Sequence, residues 1–441
     1  MRILIVSQTP WDIENSFGNT FSNLFGGMED IEIYNICCKG GKVQNDVIKK
    51  CFQMTDRQAA KSIYKRNYSV GTVIEQSETL KIDQNVLDFS GTTYKRVVSQ
   101  RSILALMARD MIWKASSWKL SGALHQFLQE AHPDIIYLPI YNSGYMCDIQ
   151  NYLVSLSHIP VVGHISDDVY GFPQGYLVSP LHLFYVARTR AKLRKLISRC
   201  SYLEVFAENM KKEYEEIFHI PCYLIGKGVH PEQICTSDSC VLLAPERELL
   251  LAYTGNIGSE RWKVLCDLGR CLDGQQQKAR LEIYSATPLT AQMQEAMAQC
   301  ASICFMGSTD AAGVRDVQSR ADFLVHTESF SKRAIHSARM SLSTKIIDYL
   351  CTGKPILAIG PSVVNSISFL KSHHLAVVAD ETVELDTVVG QLFRGKVDLT
   401  TMAQSVSMYL KTERNIEHIQ SGMRTRMQQI IEQNCTSMPP N

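Results

Sequence analysis

Tyr253-Thr254-Gly255-Asn256-Ile257-Gly258-Ser259-Glu260-Arg261-Trp262-Lys263 reads as the end of a buried strand, a glycine-containing loop and the start of a helix that carries two cations. The run that leads into it, Leu249 to Thr254, is apolar and short. Similar runs follow at Leu281 to Tyr284, Ser302 to Met306, Asp322 to His326, Pro355 to Ile359 and Leu375 to Val378, with amphipathic stretches between most neighbours. An earlier series occupies Ile3 to Val6, Ile31 to Ile36, Asp134 to Pro139, Pro160 to Ile165, Tyr202 to Ala207 and Cys222 to Ile225. Apolar strands covered on both faces and alternating with helices imply parallel α/β sheets. A closed barrel would need one continuous eightfold alternation, which the loop-like segment from His230 to Arg247 interrupts. The expected architecture is therefore two Rossmann-like, doubly wound domains in tandem: 1–235, with an insertion at about 40–130, and 248–395, followed by closing helices in 396–441 that pack back on the first domain.

Composition narrows the function. The chain has 441 residues, 45% hydrophobic and 20% charged, which suits a globular protein of two domains and excludes disordered, collagen-like and coiled-coil classes. Forty-five basic residues face forty-four acidic ones, so no whole-chain field gathers nucleic acid. The fourteen cysteines are scattered, with no C-x-x-C pair to hold zinc, and read as small buried hydrophobes. The opening apolar run is too short for a signal segment and no stretch reaches membrane-span length, so the expected location is cytoplasmic, with reduced thiols.

Four sites carry candidate chemistry. After the first strand, Ser16-Phe17-Gly18-Asn19-Thr20 reads as a loop before a helix, where Gly18 would let a ligand approach the main chain. It is not the dinucleotide fingerprint, and a plain loop glycine is the alternative. At the carboxyl end of the strand from Pro160, His164, Asp167 and Asp168 could orient or deprotonate a hydroxyl, or the aspartates could cap the following turn. In the opening stretch, Gly255 and Asn256 form the loop, while Arg261 and Lys263 suit a diphosphate beside the unpaired N–H groups of a helix start. The alternative is that both cations are solvated surface charges. Near the end, Ser343-Thr344-Lys345-Ile346-Ile347-Asp348-Tyr349-Leu350 is a short helix with hydroxyls and a lysine at its amino end, closed by Gly353. Upstream, Glu328 stands at another strand end, and Ser331 to Met340 reads as a basic loop over the site.

These motifs together resemble the GT-B-fold glycosyltransferases, particularly the large retaining family historically called group 1, or family 4. The most specific element is Thr344-Lys345-Ile346-Ile347-Asp348-Tyr349-Leu350-Cys351-Thr352-Gly353-Lys354-Pro355-Ile356-Leu357-Ala358, which is similar to that family's donor-nucleotide helix and its exit into the next strand. The resemblance implies an acceptor-side first domain, a donor-binding second domain and a cleft between them. It implies Asp348 on the donor ribose, Glu328 near the donor sugar, Lys263 as the family's lysine and His164 facing the sugar. Two departures stand out: nineteen residues separate Glu328 from Asp348, far more than in the family, and Asn256 occupies the place of an arginine, so Arg261 would supply that charge. The implied activity moves a sugar from a nucleotide-diphosphate donor to a hydroxyl of a glycan or lipid-linked acceptor in surface polysaccharide biosynthesis. Retention of configuration and the absence of any obligatory metal or cofactor are implied by the resemblance alone.

Two rival readings stay open: a nucleotide-sugar epimerase of the same fold, and an inactive nucleotide-sugar-binding scaffold. A last expectation concerns charge. Lys95, Arg96, Arg101, Arg109, Lys114 and Lys119 stand against Asp110 alone, interleaved with apolar residues, and Arg188, Arg190, Lys192, Arg194, Lys195 and Arg199 form a second run without an acid. Such helices either lie on an anionic bilayer at the inner face of the cell membrane or are ordinary solvated faces.

Overall fold

A computed structural model describes residues 1–65, 67–74, 103–171, 179–235 and 247–437. The chain divides into two compact units, Met1–Ile225 with Ile419–Asn441, and Gly226–His418.

The first unit is built on eight strands: β1 (Arg2–Ser7), β2 (Glu32–Cys37), β3 (Ile48–Gln53), β4 (Thr72–Ile74), β5 (Ile135–Pro139), β6 (Val161–Ile165), β7 (Tyr202–Val205) and β8 (Cys222–Leu224). Their order is 4-3-2-1-5-6-7-8, and every pairing is parallel except that of β4 with β3. The second unit holds β9 (Leu249–Thr254), β10 (Ala279–Tyr284), β11 (Ile303–Gly307), β12 (Phe323–Thr327), β13 (Ile356–Ile359) and β14 (Val377–Ala379) in the order 11-10-9-12-13-14. Winding direction reverses between β1 and β5 and between β9 and β12. In open parallel sheets that reversal leaves a crevice at the strands' carboxyl ends.

Burial on both faces explains why these strands are apolar throughout. In β9, Leu249, Leu251 and Tyr253 enter a core with Trp262, Leu265 and Leu268 of the helix Arg261–Asp273, while Ala252 faces the opposite core with Ile346, Ile347 and Leu350. A one-residue slip would exchange the two sets, so the parallel register is firmly specified. In the first unit, Ile3, Ile5 and Tyr137 pack on Phe21, Leu24 and Phe25 of the helix Ser16–Phe25.

Several expectations change here. Residues 40–74 join the sheet through β3 and β4 and supply the helix Asp56–Tyr64, so this part of the supposed insertion extends the fold's core. Residues 75–102 of that segment, with Lys95, Arg96 and Arg101, lie outside the described residues. Ser16 to Thr20 is helix rather than loop, capped by Asn15 through the Gly18 amide at 2.8 Å. A Cβ on Gly18 would stand 2.0 Å from the Asp12 carbonyl oxygen, so Gly18 is fixed by close backbone contact. Gly18→Ala is accordingly expected to lower the unfolding free energy by roughly 1–3 kcal/mol, as overpacking does, read from the denaturant midpoint.

The two closing helices go separate ways. Leu399–Glu413 sits in the second unit, with Met402 and Leu410 in its cores. Ile416–Ser437 sends Met423 and Met427 into the core of the first. Most described cysteines are buried free thiols. Among the described residues no helix is long and apolar enough to cross a membrane.

Candidate functional site

Two strand ends meet at the reversal point of the second sheet. β9 finishes at Thr254 and continues into Gly255, and β12 finishes at Thr327 and continues into Glu328. The loop after β9 is tightly built: the Tyr253 hydroxyl donates to the Asn256 carbonyl at 2.7 Å, and Asn256 Oδ1 accepts the Gly258 amide at 2.6 Å and the Thr287 hydroxyl at 3.0 Å. Ser259 and Glu260 then take left-handed backbone angles, φ 52° and 64°, and the turn releases Arg261 as the first residue of its helix.

Arg261 reaches Glu328 with both arms of its guanidinium: Nε lies 3.1 Å from Oε2, and Nη2 lies 3.1 and 2.9 Å from Oε1 and Oε2. This fork is the strong geometry for a carboxylate, and also for a phosphate. Glu328 is buried to 7% side-chain exposure, and burial pushes its carboxyl above the usual range against the pull of Arg261. Behind it, a Cβ on Gly360 would come 2.9 Å from the Glu328 Cβ, so only glycine lets β13's exit pass so close. His326, two residues back on the same strand face, meets Ser366 Oγ at 3.1 Å. Burial, Arg261 and Lys345 together hold its imidazole down at about 3, so it is neutral.

Lys345 comes from the helix Thr344–Cys351, which Ser343 opens without a side-chain cap. The residue as a whole is exposed, and its ammonium lies 3.4 Å from the Thr254 carbonyl and 3.1 Å from where a Gly255 Cβ would stand. Burial of that end and the nearby Arg261 push its pKa below the usual lysine range. The helix is tied to β9 by Tyr349, whose hydroxyl oxygen accepts the Thr254 amide at 3.0 Å. One turn on, Asp348 pairs with Lys227 and keeps 43% side-chain exposure.

The arrangement thus gathers Gly255, Asn256, Arg261, Glu328, Ser343, Thr344, Lys345 and Asp348 on the loops and helix starts that follow these strand ends. Lys263 stands apart, half-exposed and held by Glu260 at 3.2 Å. Of the cations here, Arg261, Lys227 and Lys263 each have a carboxylate partner. Lys345 has none within ion-pair distance among the described residues. Lys227, Tyr349, Ser366 and Gly360 also build the site and were not anticipated. The expected basic loop at 331–340 is a helix, Lys332–Ala338, capped by Ser331.

In the first unit, Asp168 holds a turn, its Oδ1 accepting the Tyr170 and Gly171 amides at 3.1 and 2.8 Å, and Asp167 is exposed beside it. His164 lies inside the sheet's core at 3% exposure, its ring against Phe21 and Phe206. The Tyr137 hydroxyl donates to Glu204 Oε2 at 2.6 Å, and Arg426 donates to Oε1 at 2.9 Å. Because the Tyr137 proton goes to Glu204, His164 Nδ1, 2.9 Å from that hydroxyl, carries a proton and donates. Burial holds His164 down at about 3, well below the ~6.5 of an unfolded chain. The folded state therefore binds fewer protons, and this contribution to stability is present above about pH 6.5 and is lost as pH falls toward 3. His164→Asn, whose amide can donate in place of Nδ1, is expected to lose about 1.4 kcal/mol less stability than the unsubstituted protein between pH 7.5 and about 5.5, measured by urea unfolding at both.

Comparison with protein-family models and with curated proteins found no match. Solved structures do match. The Anabaena HepE structure in complex with UDP is 12% identical over 97% of this chain and 100% of its own, with a TM-score of 0.58. Sucrose-phosphate synthase from Thermosynechococcus elongatus gives 12% identity, 98% and 100% coverage and a TM-score of 0.60. An alpha,alpha-trehalose-phosphate synthase (UDP-forming) from Burkholderia xenovorans, in complex with glucose-6-phosphate, gives 12%, 97% and 100%, with 0.57. With two doubly wound parallel-sheet units and these structural relatives, the chain has the GT-B fold.

Proposed function

We propose that the protein is a glycosyltransferase that takes a sugar from a nucleotide-diphosphate donor bound at the carboxyl ends of β9 and β12. The observation that carries this reading is Lys345, an ammonium without a carboxylate partner among the described residues, its end turned in beside Arg261 where an open α/β sheet binds its ligand. Two neighbouring cations disfavour each other's charge, and a diphosphate relieves that repulsion. The same charges stabilise the diphosphate as the glycosidic bond breaks, which is the main electrostatic task of such a transfer. Arg261 would shift one arm from Glu328 to phosphate, leaving the carboxylate beside the donor sugar. Asp348, oriented by Lys227 and half-exposed, suits the ribose hydroxyls. The UDP in the HepE structure favours a uridine nucleotide as the first candidate.

The acceptor is a hydroxyl of a glycan or lipid-linked glycan, and configuration is retained without a bound metal; these parts rest on the sequence resemblance. His164 serves this reading by fixing the core beneath the first unit's strand ends. Thermal melting against a panel of nucleoside diphosphates and nucleotide sugars, with and without EDTA, tests the proposal. One nucleotide is expected to raise the melting temperature through mass action, and EDTA to leave the shift intact. No shift with any nucleotide would overturn the donor-site reading.

A further inference from the structure

A second charged site lies in the first unit, on the outer helix layer. The helices Ile103–Ala115, Gly144–Ser155 and Pro180–Ile197 pack together there and, with Trp118 and Lys119, border an open-mouthed cavity of about 410 Å³. Lys114, Lys119, Arg188, Lys195 and Arg199 line it, against one carboxylate, Asp148, which is already held by Lys192 at 2.6 Å. Among the described residues none of these five cations has an ion-pair partner. The cavity is therefore a strongly positive groove built from parts of both basic runs.

The faces that carry these cations continue into apolar side chains. On the helix Pro180–Ile197, Leu181, Phe184, Arg188 and Lys195 are spaced by three, four and seven residues and so share one face. Phe184 is 59% exposed and Leu181 37%. The helix Ile103–Ala115 repeats the order: Leu104, Met111 and Lys114 share a face, with Leu104 and Met111 exposed to 64% and 66%. Leu120, next to Lys119, is 83% exposed. Large apolar side chains left in water in one neighbourhood mark an interaction surface.

We infer that this groove and its apolar margins dock on an anionic phospholipid surface, the cations taking the phosphate headgroups while Phe184, Leu181, Met111 and Leu104 enter the acyl boundary. Positive groups beside exposed apolar residues on amphipathic helices are the pattern that such an interface selects. Nucleic acid suits the site less well, because Trp113, Trp118 and Tyr145 are 1–2% exposed and Tyr152, half-buried, already has the Lys119 ammonium over its ring at 5.1 Å, which leaves little aromatic face on which a base could stack. A soluble anionic glycan would engage the cations but leaves the apolar margin without a role. The inference does not rest on the donor site, since none of these residues belongs to it.

Co-sedimentation of the full-length protein with vesicles tests it. Binding to phosphatidylcholine vesicles containing phosphatidylglycerol at low salt is expected, with little binding to pure phosphatidylcholine and a marked loss at high salt. Lys195→Glu with Arg199→Glu should weaken binding by roughly tenfold or more. Phe184→Ser with Met111→Ser should weaken it as well, with the salt dependence kept and the melting temperature unchanged. Equal binding to both vesicle types, or none to either, would overturn the inference. So would binding to a soluble polyanion such as heparin as tight as to anionic vesicles and insensitive to Phe184→Ser, which would assign the groove to an anionic polymer.

Discussion

Arg261→Ala is expected to lower turnover of the nucleotide sugar by roughly 10²–10³-fold, the loss seen when one preorganised donor to a developing anion is removed. The guanidinium presents two parallel N–H donors to the crevice, and its position is set by the left-handed turn at Ser259 and Glu260 and by the two-armed grip on Glu328. Removing it has a second consequence, because Glu328 is buried and would stand there without its cation. The variant therefore needs a companion: Arg261→Ala with Glu328→Gln removes the buried carboxylate left without its cation and should recover stability but not turnover. Arg261→Lys keeps the charge and loses the fork, and is expected to fall between the two. Turnover of Arg261→Ala within twofold of the unsubstituted protein would remove Arg261 from the chemistry.

The largest expected effect on stability lies far along the chain. Arg426, on the helix Ile416–Ser437, donates to Glu204, which is fully buried in β7 and also accepts the Tyr137 hydroxyl. Burial raises the Glu204 carboxyl, and Arg426 and Tyr137 work against that shift. Arg426→Ala leaves the charge without its partner, and breaking a buried pair in this way costs about 3–5 kcal/mol. The same substitution frees the helix that brings Met423 and Met427 to the core, so Ile416–Ser437 should lose protection in hydrogen exchange before the strands do. Replacing both partners, as in Arg426→Met with Glu204→Gln, is expected to recover most of the loss. Equal unfolding midpoints for Arg426→Ala and the unsubstituted protein would contradict this account.

The strands of the second unit were legible because their sequence periods are unambiguous. Leu249 to Thr254 is apolar on both faces and is followed by Gly255, and β9 has those same bounds. β3 was hidden because Lys49 and Lys50 interrupt its apolar run. It is the last parallel strand before the antiparallel edge strand β4, and those side chains reach outward to Glu32 and Glu130. The helix Lys332–Ala338 was read as loop because seven residues carry too little periodicity to announce it. At the candidate site, Arg261, Glu328, Lys345 and Asp348 could be named from strand ends and a helix start. Their partners could not: Lys227 is 121 residues from Asp348, and Tyr349 is 95 from Thr254. Long-range pairing of that kind leaves no local pattern. The same holds for His164, whose strand-end position suggested an open surface, while Phe21 and Phe206 close over it from distant segments.

Calorimetric titration of the nucleoside diphosphate that shifts the melting curve, in EDTA, into the unsubstituted protein and into Lys345→Ala and Lys263→Ala is the most direct test of the donor site. A charge-assisted hydrogen bond of about 1.5–3 kcal/mol predicts that Lys345→Ala weakens binding by roughly ten- to a hundredfold. Lys263→Ala, whose ammonium already sits on Glu260 in solvent, should weaken it less than about threefold. Unchanged affinity in Lys345→Ala would contradict the assignment of the diphosphate to the crevice between β9 and β12.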